Sequence, residues 1–284
     1  MLVFDLPTRS PGAPLRAAAL GSCRVREPFT ALAERGQLPL VAGGLQKSHT
    51  AREALLLLDI AAGGLEIEDF VLPLMFSHGA LPSPTKLREA LNVAIDVVVL
   101  EVSSLNQFFY HGIPIHSAFL NNKLVQPNAR ALLNWYRQVC TRGSADAACV
   151  EATLAAMGPR GGEFDHIEDL LRGIRLERQG VDQIETSLRE MMSRVGGRWV
   201  LVGPFVVAGG AGAVMAERRA LLAELDAAAE RCVVSRWDPS RLISAFGREA
   251  VLNNKGRNLY HYARAFLPTA GEALLDVMRD AAGR

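Results

Sequence analysis

The chain has little of several things, and each shortage excludes a class. Four cysteines in 284 residues are far too sparse for a disulfide scaffold. They stand at Cys23, Cys140, Cys149 and Cys232 with no CxxC pair, so they read as free thiols in a reducing cytosol. Neither sign of charge is in excess: 31 basic residues face 30 acidic ones, for a formal net charge of +1. That balance argues against a dedicated nucleic-acid binder. Disorder needs low hydrophobicity with high net charge, whereas 49% of this chain is apolar. Long hydrophobic runs are missing too. Ile95–Leu100, broken by Asp96, and Trp199–Ala208 fall short of the roughly 20 residues that span a bilayer. The opening residues Met1–Pro7 carry no basic n-region ahead of an apolar stretch, and prolines at Pro7, Pro11 and Pro14 interrupt the segment. The expectation is a cytoplasmic protein with no membrane and no nucleic acid as partner, and an oligomeric state left open.

What is present is an alternation of short buried strands with helices. Leu15–Leu20 is mostly apolar and closes on Gly21-Ser22-Cys23, as a buried strand running into a tight turn. A helix then runs toward Gly36; because Pro28 is tolerated only in a first turn, its regular part is expected from about Glu27. Leu38–Val41 reads as a second strand, Thr50–Ala62 and Pro84–Val93 as helices, and Ile95–Val102 as a strand covered on both faces. Arg198–Val207 holds another buried strand ending near Gly203-Pro204, and Glu217–Ala229 a strong helix. Cys232–Ser235 reads as a short last strand, and Asp238-Pro239-Ser240 as an N-cap signal for a helix reaching Phe246. Helices are expected near Leu259–Phe266 and Gly271–Ala282. The fold class is therefore α/β, a parallel sheet with helices on both faces, in a single domain over 1–284. Residues 128–195, rich in Ala, Leu, Arg and Glu, read as a helical insertion within it.

In such sheets ligands bind beyond the carboxyl ends of the strands. Three clusters fall at expected strand ends: Gly21-Ser22-Cys23, Glu101–Asn106 and Gly203-Pro204. A nucleophile on a strand-to-helix turn is exposed above the sheet. It also meets the free N–H groups of a helix start, which lower a thiol pKa and stabilise an oxyanion. Arg24 and Arg26 are expected to depress the Cys23 pKa further. The plainer alternative keeps Ser22 as a turn residue and Cys23 as a small buried one. The second motif is Asn258-Leu-Tyr-His261-Tyr262, where Asn258 is placed to orient His261 as a general base; its plain alternative is a surface histidine between packing tyrosines.

Gly-Ser-Cys after a first strand, with Asn-x-x-His near the other end, resembles the SGNH (GDSL-like) hydrolase superfamily. In that superfamily the nucleophile comes after Gly-Asp and a DxxH block supplies the base. The match puts Cys23, not Ser22, at the nucleophile. It is closer to the cysteine-bearing GSC- and GNC-motif relatives linked to bacterial polysaccharide and cell-surface biosynthesis. Val98-Val-Leu-Glu101-Val-Ser103-Ser104 and Asp238-Pro-Ser…Phe246-Gly247…Leu259-Tyr-His261-Tyr262 resemble the same group. The matched blocks lie in roughly 17–30, 95–106 and 198–266, and the helical middle is unmatched. The resemblance implies a flavodoxin-like, SGNH-type sheet and an acyl-transfer enzyme, either esterase or acyltransferase, acting on a carbohydrate or other small biosynthetic substrate. It departs from the family pattern at Asn258, where an acid is usual, and in lacking a clean Gly-x-Asn-Asp block. Ser103, Ser104 or Asn106 would then supply the missing oxyanion donor, with Ser22 and Arg24 as further oxyanion or substrate contacts.

The remaining candidates are weaker. Glu101, at a strand end, reads as a carboxylate base or, as the favoured alternative, an ion-pair partner of Arg24 or Arg26. His111 and His116 lack a third metal ligand, and His49, His78 and His166 are isolated, so no metal is expected. Gly209-Gly210-Ala-Gly212 before a helix resembles a phosphate cradle but lacks the P-loop lysine. Lys255-Gly256-Arg257 reads as a solvated turn with some capacity for an anion. No cofactor is required, with acyl-coenzyme A as a possible donor. Two further readings stand beside acyl transfer: a non-catalytic binding or assembly protein that keeps the fold, and a thiol-dependent step on a nucleotide-sugar conjugate held at 209–212.

Overall fold

A computed structural model describes residues 14–38, 47–63, 65–91, 95–158, 166–207 and 212–283. In chain order the strands are β1 (Ala17–Leu20), β2 (Val97–Glu101), β3 (Asn106–Tyr110), β4 (Ile113–Ile115), β5 (Ile174–Arg178), β6 (Arg198–Val202) and β7 (Ser235–Trp237). The main helices are α1 (Cys23–Glu34), α2 (Ala51–Ala62), α3 (Pro84–Leu91), α4 (Ala129–Arg142), α5 (Ala147–Met157), α6 (Ile167–Gly173), α7 (Val181–Arg194), α8 (Ala213–Cys232), α9 (Ser240–Phe246) and α10 (Leu267–Ala282). None of the described helices is long and apolar enough to cross a membrane.

The described residues fall into two compact units. The first comprises 1–64, 83–105 and 180–284; the second comprises 65–82 and 106–179. The first is built on a four-stranded, all-parallel sheet in the order β1-β2-β6-β7. β1, β2 and β6 are apolar on both sides because helices cover both faces. Ala17, Ala19, Val97, Val99, Val200 and Val202 share one core with Phe29 and Leu32 of α1 and Leu274 and Met278 of α10. Their neighbours Ala18, Leu20, Val98, Leu100, Trp199 and Leu201 are equally buried. They belong to the other face, where α2 packs on β2 and on α7, and α7 on α8.

The second unit is a three-stranded antiparallel sheet, β4-β3-β5, with α4, α5 and α6. Trp135 is fully buried there, and its indole N–H donates to the Leu171 carbonyl at 3.0 Å. The 128–195 stretch is thus divided: 128–179 lies in this unit and carries β5 among its helices, while α7 belongs to the first unit.

Several boundaries differ from the sequence expectation, each for a local reason. Helix α1 begins at Cys23 rather than near Glu27, with Pro28 inside it. One missing N–H is tolerated because Pro28 is buried where α10 packs, with Gly271 close against its carbonyl. Cys232 ends α8 instead of opening a strand; Val233 then adopts the left-handed conformation that stops the helix, and β7 starts at Ser235. Residues 259–263 form a turn with a β-bridge between Leu252 and Tyr262, leading into a short 3-10 turn, and not a helix. Thr50 caps α2 by accepting the Glu53 N–H; Asp238 accepts the Ser240 N–H at 2.9 Å but stands one residue before the N-cap of α9, which is Pro239 rather than Asp238. The strand expected at Leu38–Val41 lies, beyond Leu38, outside the described residues, as do Gly209 and Gly210 of the glycine run.

Candidate active site

β1, β2 and β6 are adjacent and parallel, so Gly21, the end of β2 at Glu101 and the segment after Val202 meet at one edge of the sheet. Gly21 leaves no room for a side chain. A Cβ there would stand 2.5 Å from the Glu101 Cβ and 3.0 Å from its Oε2. The close approach lets one carboxylate hold the whole turn. Glu101, fully buried, accepts the Ser22 N–H at 2.7 Å, the Ser22 hydroxyl at 2.8 Å and the Arg24 Nε–H at 2.6 Å. Cys23 sits between these anchored neighbours as the first residue of α1 and is half-buried.

This arrangement assigns Ser22 and Arg24 to the scaffold. The Ser22 hydroxyl points at Glu101 and Arg24 is buried in an ion pair, its guanidinium carbon 5.9 Å from the centre of the Phe205 ring. The expectation that Arg24 lowers the Cys23 pKa is therefore corrected, since Glu101 takes up its charge. The thiol is pushed up instead: burial is the main cause, the Lys47 ammonium pulls it partly back, and the Glu27 and Glu101 carboxylates raise it. The Ser103 hydroxyl is turned to a backbone carbonyl, and Ser104 is held by its backbone. Both backbone N–H groups and the Ser103 hydroxyl donate to the His49 carbonyl. His49 itself is held below the usual imidazole pKa, chiefly by burial. Asn106 opens β3 in the second unit, paired with Arg178.

His261 comes from the 252–263 segment. Its carbonyl accepts the Asn253 N–H at 3.0 Å, and the Ala263 N–H donates to the Val251 carbonyl at 2.8 Å, which fixes the strand-like bridge around it. Next to it Tyr262 is buried edge-on to Phe205, centroids 4.9 Å apart. A buried arginine on α8 ties this segment to the sheet edge. Arg218 Nη1 donates to the carbonyls of Phe205 at 3.0 Å and Leu259 at 3.2 Å, and its guanidinium lies 5.0 Å from the Tyr260 ring centre. Burial lowers the Arg218 pKa, with Arg24 adding to the effect.

The result brings Cys23 and His261 together with a residue that sequence reasoning missed. The Cys23 thiol, a Glu27 carboxylate oxygen and a His261 ring nitrogen all lie within 4.8 Å of one another. His261 Nδ1 stands 3.5 Å from Glu27 Oε1. Asn258 does not take that place: its Oδ1 accepts the Tyr260 N–H at 2.9 Å and closes the turn before His261. The signal for Glu27 was available in the spacing, since Cys23 and Glu27 are four apart on one helix and share a face. It was hidden by starting the helix at Glu27. Chemically the cluster offers a nucleophile, a base and a carboxylate beside that base.

Comparison with known proteins gives a family. The family model of the TviD N-terminal domain matches residues 15–277, and the chain belongs to that family. Among curated proteins it is similar to the Vi polysaccharide biosynthesis protein TviD of Salmonella typhi. The two are 23% identical over 266 residues, which is 87% of this chain and 30% of that protein. The chain thus spans about a third of the length of that relative. Among solved structures, an extracellular lipase from Streptomyces rimosus aligns over 94% of this chain and 99% of its own. Sequence identity there is 14% and the TM-score 0.35, too loose a likeness to argue from.

Proposed function

We propose that the chain is an acyl-transfer enzyme with Cys23 as nucleophile and His261 as base. We further propose that it passes an acyl group, such as the acetyl of acetyl-coenzyme A, to a carbohydrate acceptor or to water. The observation that carries the reading is the convergence of Cys23, His261 and Glu27 within 4.8 Å at the carboxyl edge of a parallel sheet. With Nδ1 turned to Glu27, Nε2 is the nitrogen left to take the thiol proton as sulfur attacks the acyl carbonyl. Glu27 then steadies the imidazolium that forms, the part sequence reasoning gave to Asn258. The Cys23 and Arg24 N–H groups open α1, ahead of the Val25 and Arg26 N–H groups that donate to the Ser22 carbonyl, and suit the developing oxyanion.

A burial-raised thiol pKa supports a particular order of events. A thiol pushed up by burial favours loss of its proton during attack, the step at which the base acts. The carbohydrate acceptor rests on the family and on the polysaccharide named for the relative. The ring of Tyr260, 60% exposed beside His261 and backed by Arg218, suits a sugar face. Glu27 supplies a carboxylate beside His261, whose want at Asn258 motivated the binding-only reading. Turnover of p-nitrophenyl acetate and acetyl-coenzyme A, with and without an oligosaccharide acceptor, tests the proposal. Cys23→Ala and His261→Ala should each abolish turnover while the fold persists. Full turnover in a folded Cys23→Ala variant would overturn it.

A further inference from the structure

Cys23 opens α1 and Glu27 stands four residues later, so both side chains leave one face of the helix. His261 Nδ1 already stands 3.5 Å from Glu27 Oε1, and the thiol lies within 4.8 Å of both partners. A tetrahedral Zn²⁺ with bonds of about 2.0–2.3 Å sets its donors about 3.3–3.6 Å apart. The His261–Glu27 edge has that length now. The other two edges close by rotation of side chains that are only partly buried.

We infer that Cys23, Glu27 and His261 form a three-donor site for Zn²⁺, with a fourth position left to water, and that its occupancy blocks the nucleophile. The donor set selects the metal. A thiolate with an imidazole prefers zinc over magnesium or calcium, which take oxygen donors. On binding, the Cys23 S–H bond breaks as the S–Zn bond forms and the proton passes to solvent. No oxidation state changes. The Glu27 and Glu101 carboxylates near the thiol favour a cation there, and Lys47 opposes it. The blocking of turnover rests on the acyl-transfer reading, whereas the metal binding stands without it.

The test is titration of the full chain with Co²⁺, then Zn²⁺. Expected are one equivalent bound, a near-ultraviolet thiolate-to-cobalt band, and visible bands of four-coordinate intensity that zinc abolishes. Zinc should shield Cys23 from iodoacetamide until EDTA is added. Cys23→Ser should lose the ultraviolet band. Glu27→Gln and His261→Ala should weaken binding at least about tenfold, since losing even an outer-shell partner costs about 10–100-fold. Circular dichroism of each variant checks that it is folded. Absence of the band, its survival in Cys23→Ser, or unchanged affinity in the other two variants would overturn the site. Normal ester turnover with no cobalt band would leave the acyl-transfer reading intact and remove only the metal.

Discussion

Replacing Glu27 by Gln separates two effects that a cysteine–histidine pair usually confounds. Glu27 is near the imidazole, 3.5 Å from Nδ1, and it is also one of the carboxylates that raise the Cys23 thiol. A unit charge at that distance stabilises imidazolium by about 5 kcal/mol at an effective dielectric of 20 and by about 1.2 kcal/mol in bulk water. The side chains are 39% and 37% exposed, so solvent screening puts the contribution near the lower end. About 1–2 kcal/mol of transition-state stabilisation corresponds to a fall in turnover of roughly 5–30-fold. The same substitution removes a repulsive charge from the thiol, so the pH midpoint of iodoacetamide alkylation should move down. Steady-state p-nitrophenyl acetate hydrolysis and a pH series of alkylation, run on one preparation, read both. Slower turnover with an easier thiol is expected. Turnover that rises along with thiol ionisation would refute the reasoning, because thiolate supply would then limit the rate and His261 would have no part in it.

Three other perturbations test the same geometry. Glu101→Gln leaves Arg24 buried without its counter-charge, and breaking such a pair costs about 3–5 kcal/mol, read as a lowered Tm and a lowered urea midpoint. Gly21→Ala forces a Cβ to within 2.5 Å of Glu101; overpacking of this kind costs about 1–3 kcal/mol, and turnover should fall with it as the turn shifts. Arg218→Met releases the Leu259 and Phe205 carbonyls, so kcat should fall while Cys23 alkylation in the resting protein stays as it was. An equal loss in both would place the damage at the turn instead.

The parallel sheet was legible because burial on both faces writes near-continuous apolar runs, as in Val97–Leu100 and Trp199–Val202, and glycine ends the runs of β1 and β6 at Gly21 and Gly203. Cys23 was legible for the same reason: a strand-end Gly-Ser turn points to the residue after it. What escaped was set by pairings across long separations. The Ser22–Glu101–Arg24 cluster joins residues about 80 apart, and no local pattern marks Arg24 as buried rather than as a solvent-facing neighbour of the thiol. The second unit's β3 and β5 are likewise paired across more than 60 residues, and β5 lies in the 128–195 stretch whose composition reads as helix. His261 was found through its motif. The residue beside its ring nitrogen was not, because a proline six residues into α1 argued against a helix that in fact starts at the thiol.

The central claim, that Cys23 carries the acyl group, is tested most directly by intact and peptide mass spectrometry of protein quenched during turnover of acetyl-coenzyme A or p-nitrophenyl acetate. The account predicts one acetyl group, located on the peptide containing Cys23, discharged on adding acceptor and absent from Cys23→Ala. Turnover with no adduct at any time point, or an acetyl group on Cys140 with Cys23 unmodified, would contradict it.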